Sequence, residues 1–414
     1  MELKSKYQYT YFVYPYIVEE TKYDKYINKL LKDKKCSLKI FEKEKDLDIY
    51  NHFTAKVRNY MFPTFEIRDE NLRKLKEMNL DKKSKFLADK DCTCFEYSIG
   101  NDVQGKIGNE GGIFFSIEKI EIICFKTGIC FFTIKALLEN DGKFEDLLNF
   151  NYNFKDINSE FYSLKNFEKI KIQTNTFKDI TELSEIIENI TGARANNEDG
   201  LSSRFYTYSY VCLEGSQWND NMGFEKIEHE FYKYSNVLEN SFSSNFIQEN
   251  FEKRLNIFSM MKYVKVGITK QSSNLMCSGI DTYNYTKLAY IYENQYFYTY
   301  ILGLYQKIFL AKLNNEFKHY DKLIKVKEQF LHFTKNIWQK EITLDGNGST
   351  YYRLLKNTLE LEDLYEEIRN KYEIVYKDLN IEKNNNYYSI LIMLLILSLT
   401  MNTVNIIVIM ILNG

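Results

Sequence analysis

Apolar and polar positions change period several times along this chain, and each change marks an element. Tyr9–Val18 is aromatic and β-branched almost throughout, the make-up of a strand. Tyr23, Tyr26, Ile27, Leu30 and Leu31 then recur at helical spacing, which predicts a strand-then-helix unit. Leu47, Tyr50, Phe53, Val57 and Tyr60 keep that spacing until Pro63 stops it. Two apolar runs, Lys119–Phe125 and Ile129–Ala136, flank Lys126-Thr127-Gly128 and predict a buried hairpin. Ile180, Leu183, Ile187 and Ile190 predict a helix that Gly192 closes. Phe205–Leu213 is a second aromatic strand, followed by a helical stripe of Phe224, Ile227, Phe231 and Tyr234. Residues 1–244 therefore read as an α+β domain.

No proline follows Pro63, and from about residue 245 helical spacing dominates, giving a helical region over residues 245–348. One helix is expected from Tyr285 to Glu316 and another from Tyr320 to Lys340. A stalk helix is expected over residues 349–386. In it Leu361, Tyr365, Ile368, Tyr372, Val375 and Leu379 alternate at four and three positions, the seam of a coiled coil, open to a neighbouring helix or to a second subunit. The last stretch, residues 387–414, contains the uncharged run Ile390–Leu412, which as a helix reaches about 34 Å, enough to cross a hydrocarbon core of about 30 Å. The expected fold class is thus an α+β N-terminal cytoplasmic domain, then long helices forming a stalk, ending in one C-terminal transmembrane helix. Arg369, Lys371, Lys377 and Lys383 precede the span, so the bulk is expected on the cytoplasmic side of the cell membrane in a single-pass arrangement.

Charge and composition narrow the chemistry. The 55 basic and 57 acidic residues nearly cancel, which argues against a nucleic-acid-binding surface. Seven cysteines without a spacing framework suit a reducing compartment, and Cys92 with Cys94 reads as a pair of free thiols rather than half a zinc site. Gly100 to Lys106 has P-loop spacing, but Ile107 stands where Ser or Thr must hold magnesium, so the glycines at 105, 108, 111 and 112 are expected to form a flexible surface loop. No nucleophile elbow or paired-carboxylate motif stands out, and no enzyme is expected. Ser398, Asn402 and Asn405 share one face of the expected span, either as pore-lining groups or as interhelical hydrogen bonds.

Phe125-Lys126-Thr127-Gly128 in the hairpin, Tyr296–Leu310 and the stalk Leu359–Leu379 together give a layout that resembles the CorA-like cation channel superfamily, in particular the divergent membrane effectors beside type III CRISPR systems. The superfamily's Gly-Met-Asn signature is absent, and Thr400-Met401-Asn402 keeps only its last two residues. The resemblance implies a homo-oligomer, a pentamer, set in a lipid bilayer. It further implies an ion pore or membrane-permeabilising effector of antiviral defence that responds to a nucleotide-type second messenger, with a divalent cation as the transported species. Arg58, Arg194 and Arg204 are the expected lining of the ligand pocket. The alternatives are a membrane-anchored, non-conducting scaffold or binding protein and a divalent metal ion transporter.

Overall fold

The computed structural model describes residues 2–67, 71, 74–75, 77–99, 104–107, 112–139, 142–155, 171–173, 181–192, 204–242, 255–318, 323–375, 392–398 and 400–401. Its centre is one mixed sheet. The strands are β1 (Ser5–Ile17), β2 (Cys36–Lys39), β3 (Cys92–Tyr97), β4 (Gln104–Ile107), β5 (Ile113–Phe125), β6 (Ile129–Leu138), β7 (Lys171–Gln173), β8 (Thr181–Glu182), β9 (Tyr206–Leu213), β10 (Asn256–Met261), β11 (Val264–Ile268) and β12 (Ser272–Ser278). They lie in the order β10-β11-β12-β9-β1-β6-β5-β4-β7-β8, with β3 also paired to β5 and β2 to β3. Every pairing is antiparallel except β9 with β12.

Helices cover both faces. In chain order they are α1 (Tyr23–Lys32), α2 (Leu47–His52), α3 (Ala55–Met61), α4 (Leu80–Ala88), α5 (Phe144–Phe154), α6 (Leu183–Thr191), α7 (Glu228–Ser235), α8 (Thr282–Tyr285), α9 (Lys287–Ile291), α10 (Phe297–Glu316), α11 (Leu323–Asn336), α12 (Gly346–Thr358) and α13 (residues 361–375). Strand β1 shows why both faces are covered. Side chains alternate across a strand, and here Tyr9, Tyr11 and Val13 enter one core while Phe12, Tyr14 and Tyr16 enter the other. The first core is closed by α2, α3 and α9–α13, the second by α1 and α4–α7. The expected hairpin is present as β5 and β6, with Gly128 at φ 82° in its turn.

Several expectations change. Residues 256–278, inside the stretch expected to be helical, form β10–β12 and extend the same sheet. Strand β12 hides from a pattern reading because Ser272, Ser273, Asn274 and Ser278 are all fully buried. Their polar atoms are satisfied at long range: Ser272 Oγ donates to the Ser235 carbonyl (2.5 Å), Asn274 Nδ2 to the Tyr234 carbonyl (2.6 Å) and Ser278 Oγ to the Trp218 carbonyl (2.5 Å). Part of the glycine-rich stretch is strand rather than loop, since Gly105-Lys106-Ile107 belongs to β4 and a Cβ on Gly105 would sit 2.0 Å from the Phe115 ring. Glycines 108 and 111 lie outside the described residues.

The expected C-terminal transmembrane helix, and with it the single-pass cell-membrane localisation, is not supported. Among the described residues no helix is long and apolar enough to cross a membrane. Of the expected span only 392–398 and 400–401 are described; the longer piece, at 1.5 Å per residue, extends about 10 Å against a hydrocarbon core of about 30 Å. Ser398 is exposed in that piece, while Asn402 and Asn405 lie outside the described residues. The stalk seam turns inward along α13: Tyr365 stacks on Trp338 at 4.5 Å between centroids, and Phe330 of α11 meets both Tyr365 and Tyr372 at 5.4 Å. Leu361 and Ile368 are fully buried within the same chain.

Candidate functional site: a charge seam under a π turn

The hydrophobic face of β5 is interrupted by Glu118-Lys119-Ile120-Glu121. The β5–β6 register shifts between Ile117 and Lys119, and such a bulge re-aims side chains that a regular strand would alternate. Glu121 is 1 % exposed, beneath α10. Its direct cross-strand partner is Glu96 of β3, a like-charge pairing that is unfavourable by itself. Two lysines intervene. Lys39 of β2 pairs with Glu121 and approaches Glu96 at 3.4 Å, while Lys119 reaches Glu121 at 3.0 Å and Glu96 at 3.9 Å. Tyr298 of α10 closes the cluster, its hydroxyl accepting from Lys39 Nζ (3.0 Å) and lying 3.3 Å from Glu121 Oε1. Glu121 Oε2 is buried without a hydrogen-bond partner.

A second cluster sits on the neighbouring strands. Lys135 of β6 bridges Glu118 (2.9 Å) and Glu293 (3.0 Å), and Tyr11 Oη of β1 donates to Glu293 Oε1 (2.7 Å). Glu293 belongs to Tyr292–Tyr296, a single π-helical turn between α9 and α10. One extra residue per turn breaks the i→i−4 ladder, and such bulges occur frequently at functional sites. Here the turn holds Glu293 over β6 while Tyr292 stacks on Tyr208 at 4.4 Å. The two clusters therefore tie the start of the long helix to β1, β2, β5 and β6.

The electrostatics follow from that geometry. Burial works to raise the Glu121 carboxyl, but Lys39 and Lys119 outweigh it and bring the group down to about 2. Burial likewise opposes charge on Lys135, yet Glu293 and Glu118 hold its ammonium above the usual lysine range. As pH falls from about 4.5 to about 2, the unfolded chain takes up the Glu121 proton before the folded chain does, so stability is lost through that window.

At the far end of the π turn, Tyr296 Oη donates to Asp345 Oδ2 at 3.4 Å, and Asp345 caps α12 by accepting from the Gly348 amide (2.6 Å). His52 of α2 packs here, 5.8 Å from the Tyr296 ring, with Nε2 buried and unpartnered. Burial pushes its imidazole down to about 4, against the opposing pull of Asp345. The folded chain thus stays neutral at His52 while the unfolded chain is protonated near 6.5. Unfolding free energy is expected to fall by roughly 3 kcal/mol between pH 6.5 and 4, and His52→Asn to flatten that slope, as read by urea denaturation across the window.

Of the expected ligand-lining arginines, Arg58 donates through Nη1 to the Tyr50 (2.7 Å) and Phe53 (3.4 Å) carbonyls and lies 3.8 Å from the Tyr50 ring centroid, fastening α3 to the end of α2. Arg204 is part-buried two residues before β9, and Arg194 lies outside the described residues. Cys92 and Cys94 are buried free thiols, and among the described residues no cluster of three or more His, Cys, Asp or Glu side chains is arranged to hold a metal ion. The apolar run of the hairpin conceals the charge seam. Its visible signal was the Glu-Lys-Ile-Glu run, while its partners Lys39 and Tyr298 lie 82 and 177 residues away from Glu121. In comparisons with protein-family models, with curated proteins and with solved structures, the chain matches none.

Proposed function

We propose that this chain is a non-catalytic, signal-binding protein in which the sheet senses and the helices following the π turn respond. The observation that carries this reading is Glu293, a charged residue on an irregular turn, clamped between Lys135 and Tyr11 of the sheet. From the turn a continuous set of contacts leads outward. Gly303 of α10 packs against Leu355 of α12, Gln306 Nε2 donates to Tyr352 Oη (2.9 Å) and to the Ile337 carbonyl (3.2 Å), and Phe309 stacks on Phe333 of α11 at 4.9 Å. Phe330 of α11 and Trp338 just beyond it, both against Tyr365 of α13, complete the route. A response needs an element with two arrangements, and the π turn supplies the candidate.

The ligand class in this proposal, a nucleotide-type second messenger, and self-association into a homo-oligomer both follow from the CorA-like resemblance. Conduction requires a membrane span, and among the described residues no helix is long and apolar enough to form one. The test is thermal unfolding of the purified chain against a panel of mononucleotides, dinucleotides and cyclic nucleotides, with light scattering for mass. A saturable rise in Tm with one nucleotide supports the reading. Unchanged unfolding across the panel overturns the ligand class, and a monomer with and without the panel overturns self-association.

A further inference from the structure

Cys92 and Cys94 stand two positions apart on β3, so their side chains fall on one face of the strand. That face looks toward α3, and both cysteines belong to the same buried core as Met61 of that helix. Packing there is incomplete. A cavity of about 10 Å³, room for a single water-sized sphere, is walled by Cys92, Cys94 and Met61 together, with Lys39 and Lys90 also in its lining. Both thiols are free, and all three sulfur-bearing residues are at most 5 % exposed. Among the described residues no His, Asp or Glu lines the cavity, and the Thr93 hydroxyl there is already donated to the Leu87 carbonyl (3.2 Å). The cavity therefore offers two thiols and a thioether around a space too small for an organic molecule.

We infer that Cys92, Cys94 and Met61 form a binding site for one soft monovalent metal ion, copper(I), in the cavity between β3 and α3. Thiolate and thioether donors select copper(I), whereas magnesium, calcium and manganese call for oxygen donors. Zinc in a closed site takes four ligands, and three sulfurs fall one short. Binding exchanges protons for metal: each thiol releases its proton to solvent as its sulfur meets the ion, and copper stays monovalent, so no electron is transferred. Two thiolates around one copper(I) carry a net negative charge, and Lys39 and Lys90 beside the cavity place positive charge next to it. Burial pushes the Cys92 thiol well above its usual range, which keeps it protonated and unreactive until a metal displaces the proton. The inference rests on this cavity and its donors and stands apart from the nucleotide reading above.

The test uses the full reduced chain under nitrogen, copper(I) supplied as its acetonitrile complex, and bathocuproine disulfonate as the competing chelator. The parent chain is expected to retain about one copper per chain against the chelator, and equimolar zinc(II) not to displace it. A double variant with Cys92→Ala and Cys94→Ala is expected to lose the metal, while Cys212→Ala, which removes a thiol outside the cavity, keeps it. Met61→Leu preserves core volume, so it is expected to fold with little change in metal-free Tm and to drop one sulfur neighbour from the X-ray absorption spectrum of the bound copper. Failure of the parent to retain copper, retention that survives in the double cysteine variant, or displacement by zinc(II) overturns the site. Sulfur coordination that is the same in Met61→Leu as in the parent overturns it as well, and does so even where the cysteine variant fails to fold.

Discussion

Glu121→Gln is expected to lower the unfolding free energy by about 3–5 kcal/mol, the range found when one partner of a buried ion pair is removed. The carboxylate is 1 % exposed and is the shared counter-charge of Lys39 and Lys119, so its neutral isostere leaves two ammonium groups held over one remaining acid, Glu96. The loss comes from those stranded charges more than from any missing hydrogen bond. A variant with Glu121→Leu, Lys39→Met and Lys119→Met together is therefore expected to recover most of the stability, since the apolar replacement strands nothing. Urea denaturation of both variants separates the cases. A single variant within about 1 kcal/mol of the parent, small on this scale, would mean that the cluster is solvated rather than sealed.

Tyr305→Ala is the second large effect, also expected at about 3–5 kcal/mol, as for other large-to-small substitutions in a core. Tyr305 is fully buried on α10, stacked on Phe125 at 3.9 Å, and its hydroxyl meets that of Tyr60 at 2.7 Å. The truncation opens a cavity between α3, α10 and the hairpin and leaves the Tyr60 hydroxyl unsatisfied. Tyr305→Phe keeps the ring, so only the hydroxyl's contacts with Tyr60 and with Thr127 Oγ1 (3.4 Å) are lost, a change of about 1 kcal/mol. A Phe variant as damaged as the Ala variant in urea would place the energy in the hydrogen bond rather than in the ring.

These two residues also show what local pattern reveals and what it hides. Tyr305 lies in a helix legible from its spacing, and its neighbour Phe125 ends a strand legible from its apolar run, so the core they build follows from period alone. The heptad positions of α13 were legible too, but their partner was open until Trp338 and Phe330 were seen against Tyr365. Strand β12 was illegible because its buried serines and asparagine depend on acceptors such as Ser235 and Trp218, 37 and 60 residues away in sequence. Glu121 was illegible for the same reason. A charge in an apolar strand looks like a solvated edge until the lysines that neutralise it are brought in by other strands. The π turn leaves no local mark, since Tyr292–Tyr296 reads as unbroken helix and only the sheet below explains where Glu293 points.

The central claim, that the π turn joins the sheet to the outer helices, is tested most directly by hydrogen–deuterium exchange on Glu293→Gln. This variant keeps an acceptor for Tyr11 and leaves Lys135 paired with Glu118, so the chain is expected to fold. If the turn is the link, amides in Leu323–Asn336 and residues 361–375 exchange faster together with those of Phe297–Glu316. Faster exchange confined to the π turn and its immediate neighbours would contradict it.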